Sequence, residues 1–548
     1  MATVFPFIIA LVVAMAVMPM LMRIAVRLGL VDLPAARKVH ARPIPRVGGV
    51  AMAAGIGVAL LLSGIPDRFT LAYLGAGATL LVFGVLDDRF DLDYRVKFLG
   101  QFLAIAIIIG AGGLMVSGLT FTDRMALPAW IALPLTVLFV LGVTNAVNLA
   151  DGLDGLAGGT TFLSLGALGL LARSDGLVGL TAVALGAAGA VLGFLRFNTH
   201  PASVFMGDAG SQLLGFTLAV LGVAVTQDAT SVYSTAIPVL LAGIPILDTL
   251  SVMTQRFVER RPLFRADRNH LHHKLLNLGF DQRESVTLIY AAQIVLFVAA
   301  YLLRFESDLL IVGVYLGFCA AVIAALHWAQ RRGWQLRVPD RAAATGPLSR
   351  LVDRLEAPAA LQAWSTPLLA AGLAGYALVV IVQVRALASD SLLLAGALLA
   401  VVLVAGLLWR RSPLHMLEKA ACYVAAALLV YLDATLPEGA RWLPWLDWLL
   451  PLGIAAVTAL RLRWARDRRF ELTPLDLLIV FMALIVPSLP GLLQLPPGAP
   501  LGVAKIIVLF YAIELLAGGG VRLAPFLRLG STLVLAGLCL RPLLGAAL

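Results

Sequence analysis

The chain has 548 residues, 61% of them hydrophobic and 13% charged, and its mean hydropathy is +0.95. Soluble domains carry roughly a quarter of their residues as charged side chains, so this composition excludes a soluble globular protein and indicates a polytopic membrane protein. The net charge of +10 belongs to membrane-proximal loops, where Lys and Arg collect on the cytoplasmic side and against anionic headgroups; no nucleic-acid partner is expected.

Long uninterrupted apolar runs favour helices over the alternating strands of a barrel. The predicted fold is all-α, a transmembrane helical bundle. At about 20 residues per span, eleven spans fall near 4–27, 48–64, 70–86, 98–117, 126–145, 160–173, 179–195, 213–226, 233–253, 287–303 and 308–328. The stretch from Met1 to Met22 is too long for a signal-peptide core and lacks a basic start, so it is the first span. A polar segment, 331–365, follows as a cytoplasmic linker with a short surface helix at Leu348 to Leu355. The remaining 366–548 forms about seven more spans, near 366–386, 391–409, 420–434, 444–460, 474–490, 503–518 and 529–546, with no chemistry-bearing cluster. The basic residues place segments 29–47, 87–97, 146–159, 196–212 and 255–286 on one face, the cytoplasmic one by the positive-inside rule. Cys319, Cys422 and Cys539 lie in apolar segments without metal spacing and are core residues.

Nearly all informative polar residues lie in those five segments. In the first, Arg37 to Gly49, His40 and Arg46 sit among prolines and glycines that stiffen a basic turn, an arrangement suited to a phosphate or diphosphate. In the second, adjacent Asp87 and Asp88 at a span mouth repel each other, so at least one needs a metal, a cation or a proton. Asp91 and Asp93 read as solvated, and Lys97 closes the segment.

The third segment carries Asn145, Asn148, Asp151 and Asp154 at intervals of three, a spacing that drifts about 60° per step on a helix and cannot share one face. A span ending near Asn148, followed by a loop bent at Gly152 and Gly155, would fold the acids over its end as a cup of oxygen ligands. In the fourth, Asp208 lies between Gly207 and Ala209-Gly210 at a helix start, a natural metal or phosphate site, with Phe205 able to stack on a base or simply to pack. In the fifth, His270, His272 and His273 supply three of the seven histidines. Their neighbours Arg265, Arg268 and Lys274 favour an anion clamp over zinc or a purely structural role. Asp248, inside the ninth span, supports the site or is structural.

In this order these motifs resemble the polyprenyl-phosphate N-acetylhexosamine-1-phosphate transferases, the superfamily of MraY and WecA, over about residues 1–330. The Asp87-Asp88-Arg89-Phe90-Asp91-Leu92 run and the His270-Leu271-His272-His273 cluster are similar to the WecA and TagO branch. The resemblance implies transfer of a sugar-1-phosphate, GlcNAc-1-phosphate first, from a UDP-sugar to undecaprenyl phosphate with release of UMP. It implies a cell-envelope polysaccharide pathway at the bacterial inner membrane. It implies Mg²⁺, or Mn²⁺ in its place, held by Asp208 with help from Asn148, and uracil stacked on Phe205. Asp87 and Asp88 are implied to activate the lipid phosphate, and His40, Arg46, Lys97, Asn145, His270, His272 and His273 to bind substrate. Asp151 and Asp154 are implied to shape the nucleotide-sugar pocket or orient the ligands. The extra C-terminal block departs from the family and leaves room for envelope-biosynthesis partners; a homodimer is compatible. An MraY-like phospho-MurNAc-pentapeptide transferase is the alternative within the family. A lipid or polyprenyl-linked sugar transporter is the alternative outside it; transport would place charges mid-span, whereas these acids gather at span ends.

Overall fold

The computed structural model describes residues 5–33, 43–64, 67–121, 124–260, 270–336, 359–384, 387, 389–408, 416–434, 436, 445–464, 474, 478, 481, 499–517 and 524–545. The chain divides into two compact units: Met1–Arg341 with Thr473–Leu478, and Ala342–Leu472 with Ile479–Leu548. It is an all-α polytopic membrane protein; among the described residues nine helices are long and apolar enough to cross a membrane.

In the first unit, α1 (Phe5–Leu28) leads to two short strands, β1 (Val31–Asp32) and β2 (Ile44–Pro45), paired antiparallel. Then come α2 (Gly48–Leu62), α3 (Arg68–Phe90), α4 (Tyr94–Gly110), a hairpin of β3 (Gly118–Thr120) and β4 (Arg124–Ala126), and α5 (Ala129–Ala150). After these follow α6 (Leu156–Ser174), α7 (Val178–Asn198), α8 (Gly207–Gln227), α9 (Ile237–Leu241), α10 (Gly243–Val258), the short α11 (Leu271–Asn277), α12 (Gln282–Leu302) and α13 (Asp308–Arg331). Helices α6 and α8 are buried along most of their length and form the centre, while α13 is largely exposed, as a lipid-facing span is.

Small residues at the crossings bring backbones together. Gly49 of α2 faces Gly210 of α8, and Gly84 of α3 faces Ala209. The first contact seats α2 on the start of α8, and the second brings the last turns of α3 to the same place. Asp281 and Glu284 form a capping box that starts α12, and the Ser307 hydroxyl caps α13.

Several boundaries depart from the sequence expectation: α3 runs past 86 to Phe90 and α8 begins at Gly207, six residues before 213. The span drawn to 145 continues as helix to Ala150, so Asn145 and Asn148 are both helical. The fourth span stops at Gly110, and the chain then turns into the β3–β4 hairpin. The ninth is two helices broken at Ala242, which an unbroken apolar run conceals.

The second unit contains α14 (Ala359–Gln383), α15 (Ser389–Leu408), α16 (Met416–Ala434), α17 (Leu446–Trp464), α18 (Ala499–Ala517) and α19 (Ala524–Gly545). Helix α14 packs on α17, α15 on α19, and α16 on α18. The expected surface helix at Leu348 to Leu355 and nearly all of the expected span 474–490 lie outside the described residues. The block, in which no chemistry-bearing cluster is expected, carries ion pairs between its helices. Arg528 makes a two-pronged ion pair with Glu418 (2.6 and 3.0 Å), Lys505 lies 2.5 Å from Asp433, and Lys419 lies 3.4 Å from Glu514. Each acid sits singly in an apolar run, so no cluster is visible until the helices pack.

Candidate active site

The site is built around the first turn of α8, whose backbone N–H groups have no partner within the helix. Asp88, at the end of α3, supplies one: its carboxylate accepts from Asp208 N–H at 2.9 Å and from Ala209 N–H at 3.2 Å. Gly207 makes this approach feasible. Its φ is +69°, and a Cβ there would stand 2.3 Å from an Asp88 carboxylate oxygen, so only glycine is accommodated. On its other side Asp88 has the Arg46 guanidinium at 3.9 Å, and Arg46 is itself tied to the buried Asp32. Arg46 also forms a parallel bridge with Phe205, and Phe205 N–H donates to Pro45 O at 2.8 Å. The first and fourth sequence segments therefore meet through the backbone.

Asp87 accepts from Leu92 N–H at 2.8 Å and lies 2.7 Å from Lys97 Nζ, which is also 3.3 Å from Asp208 Oδ2. Asn148 Nδ2 donates to Asp208 Oδ1 (2.9 Å) and to the Ser211 hydroxyl (2.7 Å). The side chains of Asp87 and Asp88 are 2% exposed and that of Asp208 is 36% exposed. Asp208 is thus the carboxylate open to a ligand, and the paired aspartates serve it from behind. Asn145 stands one turn deeper, donating to Gln101 at 2.9 Å, while Gln101 donates to Gln212 at 3.1 Å. This buried amide layer ties α4, α5 and α8 together beneath the carboxylates.

The cup expected at Asp151 to Gly155 is present with its roles divided. Asp154 turns toward His200, 2.7 Å away at Nδ1, and accepts from Ala202 N–H at 3.1 Å. Gly155 is pinned at both ends, its N–H by Asn198 at 2.8 Å and its carbonyl by the Tyr290 hydroxyl at 2.6 Å. Asp151 lies in the same loop, next to the end of α5. Burial pushes its carboxyl up to about 7, and the charges of Asp208, Asp154 and Asp88 push the same way. Gly152 does not supply the bend; it makes room, since a Cβ on it would lie 2.3 Å from the His272 ring.

The rings of His270 and His272 stack at 5.6 Å, and those of His272 and His273 lie 4.3 Å apart. His272 is buried, and burial followed by the charge of His273 lowers its basicity to a pKa of about 4. It is a neutral wall against the loop. Among the described residues no three His, Cys, Asp or Glu side chains gather as a metal cage. His40, Arg265 and Arg268 lie outside the described residues.

The structure thus brings Arg46, Asp87, Asp88, Lys97, Asn148 and Asp208 into one contact network, with Phe205 on its border. His270, His272 and His273 adjoin it through Gly152. Sequence reasoning missed Asp32, Gln101, Asn198 and Tyr290. Asp32 and Gln101 carried a readable signal, a polar side chain at the edge of or within an apolar run; Asn198 and Tyr290 reveal their role only through the backbone groups they hold.

The family model of glycosyl transferase family 4 matches residues 70–226, the stretch from α3 to α8. A Bacillus subtilis protein named "Probable undecaprenyl-phosphate N-acetylglucosaminyl 1-phosphate transferase" is 38% identical over 302 residues, covering 54% of this chain and 84% of its own. The decaprenyl-phosphate N-acetylglucosaminephosphotransferase of Mycolicibacterium smegmatis is 32% identical over 342 residues, covering 57% and 84%. The undecaprenyl-phosphate alpha-N-acetylglucosaminyl 1-phosphate transferase of Escherichia coli is 33% identical over 280 residues, covering 49% and 75%. With this similarity spanning most of each relative and the five motifs converging on one carboxylate-lined site, the chain belongs to glycosyl transferase family 4, within the polyprenyl-phosphate N-acetylhexosamine-1-phosphate transferase superfamily.

Proposed function

We propose that the chain transfers GlcNAc-1-phosphate from UDP-GlcNAc to undecaprenyl phosphate, on the cytoplasmic face of a bacterial inner membrane, as the first membrane step of an envelope polysaccharide. An oxygen of the lipid phosphate attacks the phosphorus bonded to the sugar. The bond from that phosphorus to the UMP oxygen breaks, and UMP leaves. The observation that carries this reading is the open Asp208 carboxylate held between Asn148 and Lys97 above the buried Asp87 and Asp88.

The donor set fits Mg²⁺. Asp87, Asp88, Asp151 and Asp208 crowd a region whose cations, among the described residues, are Lys97 and Arg46, and Arg46 already holds Asp32. Mg²⁺ is bound through one or two carboxylates plus substrate phosphates, so Asp208, with Asn148, would hold it. When bound it neutralises charge on the phosphates and aligns them. Lys97 would follow the charge as it shifts onto the bridging and leaving oxygens, because it is already shared by two carboxylates and has three donors. Asp88 fixes the backbone that carries Asp208, and Asp87 fixes Lys97. A lipid phosphomonoester, with a second pKa near 6, is mostly dianionic at neutral pH and needs little help from a general base. His270 and His273 would contact the donor nucleotide sugar.

The test is incubation of the purified full chain with undecaprenyl phosphate, Mg²⁺ and a panel of UDP-sugars. UMP is expected with UDP-GlcNAc; folded protein that yields no UMP from any donor would remove the assignment.

A further inference from the structure

Asp248 lies within α10 and is buried, yet it belongs to no motif that faces Asp208. Among the described residues its carboxylate makes two contacts, both to the first residues of the histidine segment. Oδ1 accepts from Leu271 N–H at 2.6 Å, and Oδ2 lies 2.9 Å from His270 Nδ1. Leu271 is the first residue of α11, and His270 is its N-cap without a capping bond from its own side chain. A carboxylate from another helix therefore performs the capping and orients the cap residue's ring in the same act. Through the ring stack the arrangement continues to His272, and from His272 to Gly152, next to Asp151.

We propose that Asp248 is a positioning residue for donor binding, seating α11 and holding His270 with its proton on Nδ1, so that Nε2 is left as an acceptor for a hydroxyl or amide N–H of the donor sugar. This rests on the proposed function only for the identity of the donor. A carboxylate can only accept, so the nitrogen facing it carries hydrogen and the choice of tautomer is made by Asp248. Asparagine would leave the α11 cap intact, since its carbonyl oxygen still accepts from Leu271 N–H. Its NH₂ would face Nδ1 and impose the other tautomer. Alanine would remove both contacts.

The test uses the full chain and two readouts. In kinetics, Asp248→Asn is expected to raise KM for UDP-GlcNAc by about tenfold or more, with KM for undecaprenyl phosphate and the melting temperature nearly unchanged. Asp248→Ala is expected to lower the melting temperature as well. In a His270→Gln background, Asp248→Asn is expected to add little, because the residue through which it acts is gone. In ¹⁵N-histidine spectra, with His270 assigned from its loss in His270→Gln, the wild type is expected to show the Nδ1–H form and Asp248→Asn the Nε2–H form. An Asp248→Asn enzyme with unchanged donor KM, additive effects in the double variant, or an unchanged tautomer would overturn the inference. A folded wild type that releases no UMP would overturn the proposed activity instead, and the spectra would still decide the tautomer.

Discussion

Asp208 and Asp88 are both aspartates, but their surroundings give them different work. Asp208 is open and faces Lys97 and Asn148, whereas both oxygens of Asp88 are spent on backbone N–H groups of α8. Asp208→Asn is therefore expected to lower kcat on the order of a thousandfold with little change in melting temperature. Asp88→Asn would turn an NH₂ toward an N–H donor. It is expected to cost about 1–3 kcal/mol of stability together with activity, checked by thermal melts and steady-state rates on the same preparation. Gly207→Ala should resemble Asp88→Asn, because its Cβ would displace the same carboxylate. Residue identities at this scale were readable from the sequence: Asp87, Asp88, Asn148 and Asp208 were singled out and lie together. Their division of labour was not, because whether a carboxylate faces a backbone donor or an open cleft depends on another helix.

At the scale of elements, the loop from Asp151 to Gly155 meets helix α11 at Gly152, and two titrating groups flank that point. His272 has a pKa of about 4 in the folded chain against 6.5 unfolded. The unfolded chain therefore binds its proton first as pH falls, and stability drops by up to about 3 kcal/mol between those values. Asp151 works in the opposite sense. Its folded pKa of about 7 exceeds the ordinary aspartate value of 3.8, so its share of stability is present at low pH and is lost as pH rises toward 7. Relative to the wild type, His272→Gln is expected to gain stability as pH falls from 6.5 to 4, and Asp151→Asn to lose it. Melting curves in detergent across that range check both, and parallel curves for all three proteins would refute the assignment. Gly152→Ala should disturb both groups at once. The helices themselves were legible as apolar runs. The break at Ala242 was not, because hydrophobicity reports burial in lipid or protein and not backbone continuity. The β1–β2 pairing is too short to leave a period in the sequence.

For the whole molecule, the two compact units answer to different physics. The first gathers Asp87, Asp88, Asn148 and Asp208 at neighbouring helix ends, whereas the second pairs Lys505 with Asp433, Arg528 with Glu418 and Lys419 with Glu514. Lys505→Met leaves the buried Asp433 without its lysine and is expected to destabilise the full chain by about 3–5 kcal/mol, whereas adding Asp433→Leu should restore most of that loss. Chemical denaturation of the single and double variants separates the cases. The proposed reaction turns on which phosphorus moves. The most direct measurement supplies UDP-GlcNAc labelled with ³²P at the phosphate bonded to the sugar and follows the label after incubation with undecaprenyl phosphate and Mg²⁺. The predicted result is label in the lipid diphosphate with unlabelled UMP released, lost in Asp208→Asn; label that stays with the nucleotide as UDP would contradict it.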